Sequence, residues 1–392
     1  MSFIPAIKRA RHEFYIKSCS LCPLKKNKII MWANSFKQYG CSPKYITEYL
    51  LKNYPGVYDI VWVFEPQVKI PEGLDKKVRI VRYFSMEYLK ELHTAKFVIC
   101  NMRTGDAYYW RKRKGQIYIQ TWHSSIRLKK IEKDAEQCFD SKYIESAKGD
   151  SAKIDLILSG CDFSTDIFRN SFWYNGEIMK SGTPRCDILF NNTEETKKKV
   201  FDYYDIATDN KLVIYAPTFR KNKNADLHGI DADMILSALK KVFGGEWTFM
   251  YRFHPNIIKN YSGDIKNAVD ASKYPDMQEL IAAADFMITD YSSCMFDMLI
   301  AGKSCILYAP DAEEYSKDER GLYFDFDELP FPMAKTNEQL ESEILCFDSE
   351  RYKAKSKSFM RKIGSYETGH ASERVAEYIK EVIDGRKKSK NV

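Results

Sequence analysis

Short, nearly continuous apolar runs alternate with amphipathic stretches along almost the whole chain. In the first half the runs are KIIMWANSF, YDIVWVF, VRIVRYF, KFVICN, QIYIQTW, IDLILSG and EIMKSG. Between several of them lie SPKYITEYLLKNY and SMEYLKELHTA, whose apolar positions recur at helical spacing. Ser42 and Ser85 stand where an N-cap belongs, and Pro43 suits a first helical turn. Strands without polar alternation, separated by helices, predict a parallel sheet covered on both faces.

The rhythm breaks over NNTEETKKKVFDYYDIATDNK, a polar, helix-prone stretch at 191–211. It restarts with KLVIYAPTF, WTFMYRF, DFMITD and SCILYAP, interleaved with DADMILSALKKVFG, DMQELIAAA and CMFDMLIAGK. The pattern predicts an α/β protein of two Rossmann-like, doubly wound domains facing a central cleft. The expected bounds are 28–195 and 196–384, with a basic segment before them (1–27) and a basic tail, GRKKSKNV (385–392), expected to be disordered. The last helical stretch, SERVAEYIKEVIDG, is long enough to cross back and brace the first domain.

Composition narrows this picture only a little. At 392 residues each domain is large enough to bury its own core, and 44% hydrophobic residues suit a folded globular protein. The net charge of +7 suits an anionic partner, whether phosphorylated substrate, nucleic acid or acidic membrane, without choosing among them. The ten cysteines are scattered, and the one close pair, Cys19 and Cys22, has no second pair to complete a zinc site. No disulfide framework is expected, and a reducing cytoplasm fits. No run approaches the roughly 20 apolar residues that span a bilayer, and the N-terminus lacks the apolar core of a signal peptide. That N-terminus does carry Phe3, Ile7, Ala10 and Phe14 at helical spacing, with Lys8, Arg9, Arg11 and Lys17 between them. It fits a helix lying on an anionic membrane surface and equally a helix packed on the body with a solvated basic face.

In open α/β sheets, ligands bind outside the carboxyl ends of the strands. Four polar clusters stand at such ends. His123 follows YIQTW; Thr218, Arg220 and Lys221 follow KLVIYAP; Arg252 and His254 follow WTFMY; Asp290, Ser292 and Ser293 lie between ITD and a helix. Hydroxyls at a strand-to-helix turn suit an anion, although a serine there also serves as a plain helix cap. Arg252 and His254 alternate on an extended chain, so a guanidinium and an imidazole share one side, a pairing suited to phosphate. There is no Walker loop, no G-x-G-x-x-G, no metal-ligand spacing and no Gly-x-Ser-x-Gly elbow. What remains is equipment for binding phosphates and moving one proton.

These motifs, in this order, resemble the CDP-glycerol glycerophosphotransferase family, the teichoic-acid primases and polymerases of bacterial cell walls. The likeness runs from about Lys28 to Asp384. It is carried by SFKQYGCSPKYITEYLLKNYP, QTWHSSIRLKKI, SGTPRCDIL, YAPTFR, RFHP, TDYSSCMFD and GHASERV. The resemblance implies a GT-B arrangement, an N-terminal acceptor domain and a C-terminal domain for the CDP-alditol donor. It implies transfer of glycerol phosphate from CDP-glycerol to a hydroxyl of a lipid-linked acceptor at the cytoplasmic face of the membrane, releasing CMP. No metal and no cofactor beyond the donor substrate is expected, and an anionic membrane surface is an expected partner.

Carried over by motif, His123 is the catalytic base and His254 the second essential histidine. Arg252, Asp290, Ser292 and Ser293 belong to the donor site, with Thr218 and Arg220 near its phosphates; Glu373 and Arg374 fall in the C-terminal motif. One departure stands out. The family's Gly-Thr-Pro after the histidine is Ser124-Ser125-Ile126 here, with Arg127 inserted before Leu128-Lys129-Lys130. Ser124, Arg127 and Lys129 are therefore expected on the acceptor side, and the polyol stays open. The rival readings are ribitol-phosphate transfer from CDP-ribitol, a GT-B glycosyltransferase using a nucleotide sugar, and a non-catalytic nucleic-acid-binding protein. Against the last, the basic residues are spread along the chain, so no nucleic-acid partner is expected.

Overall fold

Each apolar run picked out from the sequence pairs in parallel with its neighbours, because βαβ crossovers return the chain in the same direction each time. In the computed structural model, residues 6–105, 110–218, 229–253, 265–312 and 320–387 are described. Phe3, Arg220, Lys221, His254 and the end of the basic tail lie outside them.

The first sheet contains β1 (Lys25–Trp32), β2 (Asp59–Phe64), β3 (Arg79–Arg82), β4 (Ala95–Cys100), β5 (Ile117–Gln120), β6 (Leu156–Leu158) and β7 (Glu177–Met179), in the order β3-β2-β1-β4-β5-β6-β7. The second contains β8 (Lys211–Ala216), β9 (Trp247–Tyr251), β10 (Ala268–Asp270), β11 (Phe286–Thr289), β12 (Ser304–Tyr308) and β13 (Met333–Ala334), in the order β10-β9-β8-β11-β12-β13. All pairings between these strands are parallel, and both sheets reverse their order once, between β1 and β4 and between β8 and β11. These are the switch points at which doubly wound sheets open a crevice for ligand. The edge strands β10 and β13, three and two residues long, stand in none of the apolar runs and are not legible in the sequence.

The chain divides into two units, and their bounds differ from the expected ones. The first comprises Met1–Ser124, Ile131–Asp187 and Tyr366–Val392; the second comprises Ser125–Lys130 and Ile188–Ser365. So the first unit ends before 195, and residues 366–384 belong to it rather than to the second. The reason is the apolar face of the helix Ala371–Ile383: Val375, Ala376, Tyr378, Ile379 and Val382 lie in one core with Ile29, Trp62, Phe97 and Ile119. The short insertion Ser125–Lys130 joins the second unit through its backbone. Lys130 N–H donates to Gly321 O at 3.0 Å, Tyr323 N–H donates to Leu128 O at 2.8 Å, and Lys129 faces Leu322 in an antiparallel bridge.

Ser85 caps its helix as expected, accepting the Tyr88 N–H at 3.0 Å. Ser42 does not. The cap is Gly40, and Ser42 is buried inside the first turn of Cys41–Asn53, leaving its hydroxyl for a contact described below. The N-terminal helix Ala6–Leu21 packs on the helix Met86–Thr94 through His12, Ile16 and Cys19, which puts the expected apolar positions Ala10 and Phe14 on the outside.

Candidate active site

Gln120, the last residue of β5, shapes the turn that carries His123. Its amide nitrogen donates to the Tyr118 hydroxyl (2.8 Å) and to Met102 O (3.0 Å), and its amide oxygen accepts the Trp122 N–H at 2.9 Å. Trp122 is thereby held at φ 52°, a left-handed conformation that a bulky aromatic adopts only when its surroundings impose it. The imidazole of His123 then lies against the indole, with centroids 4.5 Å apart.

His123 Nδ1 is 3.2 Å from the backbone oxygen of Asn101, at the end of β4. A carbonyl only accepts, so this contact places the ring proton on Nδ1, and the neutral imidazole has its basic lone pair on Nε2. Asn101 is itself fixed at the switch point of the first sheet. Its side chain accepts the Asn34 N–H at 2.9 Å and donates to the Asn34 side-chain oxygen at 2.8 Å. Arg185 donates from Nη1 to the His123 backbone oxygen, and its own N–H donates to Ser42 Oγ at 3.4 Å. Ring, tautomer and backbone of His123 are all constrained.

The second unit gathers a separate set at its own switch point. Thr218, just past β8, donates its N–H (2.9 Å) and hydroxyl (2.5 Å) to Asp290, just past β11. Asp290 also accepts the Tyr291 N–H at 2.6 Å and is buried in this way, a clamp between two loops. Ser292 Oγ accepts the Cys294 N–H at 3.4 Å, whereas Ser293 occupies the cap of Cys294–Ile300 without a side-chain cap bond. Both serines are half-buried.

Arg252 follows β9 and anchors to β8 through its N–H on Tyr215 O at 2.8 Å. Burial lowers its pKa from the usual arginine value; Asp276, Tyr204 and Cys294 are the neighbours that oppose this. Its Nη1 is buried with no hydrogen-bond partner among the described residues, so the guanidinium keeps a donor for an anion.

Of the residues expected on the acceptor side, Ser124 and Arg127 are buried and Lys129 is half-buried in the strand-like insertion. Glu373 and Arg374 belong to a clasp within the first unit. Asp187 accepts the N–H groups of Ala371 (2.9 Å) and Ser372 (2.7 Å), and Arg374 donates to Ser181 O at 2.7 Å. Burial and then the charge of Glu373 push the Tyr49 hydroxyl up to about 12. Sequence reasoning misses Asn101, Asn34 and Gln120, uncharged residues with nothing to set them apart. It also gives no role to Arg185, although SGTPRCDIL is among the motifs of the resemblance. Among the described residues no group of three or more His, Cys, Asp or Glu side chains is placed to hold a metal ion.

Within the first unit a constrained imidazole is suited to moving a proton, and within the second unit an arginine with a spare donor and nearby hydroxyls are suited to binding a phosphate. A family model described as CDP-Glycerol:Poly(glycerophosphate) glycerophosphotransferase matches residues 14–381. The teichoic acid poly(glycerol phosphate) polymerase of Bacillus subtilis is 30% identical over 97% of this chain, and that of Staphylococcus epidermidis is 31% identical over 91%. The chain spans about half the length of these two relatives, 53% and 51%. A solved structure of the wall teichoic acid polymerase TagF is similar with a TM-score of 0.83 at 28% identity, covering 97% of this chain and 95% of that one. The chain belongs to the CDP-glycerol:poly(glycerophosphate) glycerophosphotransferase family.

Proposed function

We propose that this protein transfers glycerol phosphate from CDP-glycerol to a hydroxyl of a lipid-linked teichoic-acid acceptor, releasing CMP, with His123 as the general base. The observation that carries the reading is the contact of His123 Nδ1 with Asn101 O, which keeps a proton on Nδ1 and leaves Nε2 as the nitrogen that exchanges a proton. The acceptor hydroxyl gives its proton to Nε2 as its oxygen attacks the β-phosphorus of the donor. The bond from that phosphorus to CMP breaks on the opposite side, and CMP leaves with the electron pair. Arg252, Ser292 and Ser293 offset charge on the phosphoryl oxygens, joined by Thr218 and, from the family resemblance, Arg220 and His254. Asp290 acts by holding Thr218 in place. Ser124, Arg127 and Lys129 serve the acceptor side.

The protein works at the inner face of the cell membrane as a peripheral enzyme. No helix among the described residues is long and apolar enough to cross a membrane. The support for surface contact is the outer face of the N-terminal helix, where Phe14 and Leu21 are exposed beside Arg11 and Lys17.

The test is CMP release with CDP-glycerol, CDP-ribitol and UDP- or GDP-sugars, followed by mass analysis of the extended acceptor. Glycerol phosphate addition is expected; addition of ribitol phosphate or of a sugar overturns the donor assignment. His123→Ala is expected to lower kcat by about 10²–10⁴-fold with donor binding nearly intact. Near-normal turnover in that variant removes His123 from the mechanism.

A further inference from the structure

Behind the imidazole of His123 stands a column of three more groups, all in the first unit. The indole of Trp122 lies 4.5 Å from the imidazole at 31°. The ring of Phe172 meets that indole edge-on, at 4.9 Å and 88°. The guanidinium of Arg103 sits over the Phe172 ring, 3.7 Å from its centroid. Arg103 is fixed in turn: it pairs with Glu132 Oε2 at 3.1 Å and Asp150 Oδ2 at 3.5 Å, and donates to Ser151 Oγ at 2.7 Å and Phe172 O at 3.4 Å. Tyr143 donates its hydroxyl to Glu132 at 3.0 Å, and the Thr104 hydroxyl donates to Asp150.

Sheet packing alone does not call for this arrangement. A buried arginine between two carboxylates is a poorer source of stability than apolar residues of equal volume, and Trp122 is held in a strained left-handed conformation. Such outliers persist where the surroundings over-determine them. Here they hold one ring plane against His123.

We propose that the Trp122–Phe172–Arg103 column is a positioning device for His123, fixing the imidazole plane and presenting an electron-rich face to the imidazolium that forms as the acceptor proton arrives. It rests on the reading of His123 as the base. The neutral ring gains little from the negative face of the indole, whereas the cation gains more, so the stabilisation grows along the reaction coordinate. The two carboxylates on Arg103 outweigh its single positive charge, so it does not oppose the new cation. Trp122 and Phe172 act through His123 and need no contact with substrate.

Four full-length variants test this, read by CMP release from CDP-glycerol with a lipid-linked acceptor and by urea unfolding midpoints. Trp122→Leu and Phe172→Leu are expected to lower kcat on the order of 10-fold or more while the KM for CDP-glycerol stays within about twofold. Trp122→Phe, which keeps an aromatic face, is expected to restore most of the loss. If either leucine variant folds with a native midpoint and keeps wild-type kcat, the column has no positioning role. The positioning role is equally overturned if the loss tracks the unfolded fraction and Trp122→Phe restores nothing. His123→Ala separates this from the underlying reading. An inactive His123→Ala beside fully active leucine variants overturns the column alone, and a fully active His123→Ala overturns both.

Discussion

Thr218 donates both its backbone N–H and its hydroxyl to the Asp290 carboxylate, at 2.9 and 2.5 Å, where the second sheet reverses its strand order. One carboxylate thus closes two loops, and its removal strands buried donors instead of deleting a single contact. Asp290→Ala is expected to destabilise the protein by about 1–3 kcal/mol for each donor left unsatisfied, read as a lower urea midpoint. The KM for CDP-glycerol should rise more than kcat falls, because the loop that carries Thr218 loses its anchor. Thr218→Val, which loses only the hydroxyl, should show a smaller version of both effects. Equal midpoints for Asp290→Ala and wild type would mean that the clamp holds nothing in place.

Lys303 supplies a pH signature. Burial is the main cause that brings its pKa down to about 8, with Asp285 opposing, while its ammonium donates to Ile281 O (3.1 Å) and Ala282 O (2.5 Å). The unfolded lysine keeps its usual value near 10.4, so between about pH 8 and pH 10 the unfolded chain binds more protons than the folded one. Stability from this group therefore rises with pH across that window, by at most about 1.4 kcal/mol per pH unit, and its full cost is present below it. Urea unfolding at pH 7.5, 8.5 and 9.5 should show this rise in wild type and lose it in Lys303→Met. A rise that survives the substitution belongs to another group.

Ile379 lies late in the sequence yet is buried in the core of the first unit, beside Ile29 and Trp62. Ile379→Ala is expected to remove about 2–4 kcal/mol from that unit. Hydrogen exchange should show faster opening of amides in β1, β2 and β4, with β8, β9 and β11 unchanged. Faster exchange in the second sheet alone would place the helix Ala371–Ile383 with the wrong unit.

Much of this is legible in the sequence, for specific reasons. Strands buried on both faces carry unbroken apolar runs, so β2, β4, β8, β11 and the second half of β1 announce themselves. His123 and Arg252 are legible because charged or titratable side chains at the ends of such strands are conspicuous. Asn101 is not, since it acts on His123 through a backbone oxygen that every residue possesses. Trp122 reads as one more apolar residue in a strand, and only its φ of 52° and its ring contacts set it apart. Ser42 reads as a cap because position alone suggests it; the helix starts at Cys41, with Gly40 as its cap. The early end of the first unit and the insertion at Ser125–Lys130 depend on long-range pairing, which local pattern does not encode.

The N-terminal helix divides its apolar residues between two faces, and the two should respond differently to charge. Ile16 and Cys19 are buried against the body, whereas Phe14 and Leu21 are 75% and 89% exposed, seven residues apart and so on one face of the helix. Arg11 and Lys17 flank that outer face with the charge that attracts an anionic bilayer. Each large apolar side chain that enters the interface contributes up to about 1.5–3 kcal/mol. Phe14→Glu combined with Leu21→Glu is therefore expected to lower partitioning onto phosphatidylglycerol vesicles by roughly 10-fold or more, while the unfolding midpoint stays at the wild-type value. Ile16→Glu should do the reverse, lowering the midpoint because it buries a charge. Added salt should weaken wild-type binding by screening the cations without abolishing it, since the apolar part is insensitive to ionic strength. Unchanged vesicle binding in the double variant would mean that this face does not meet the membrane.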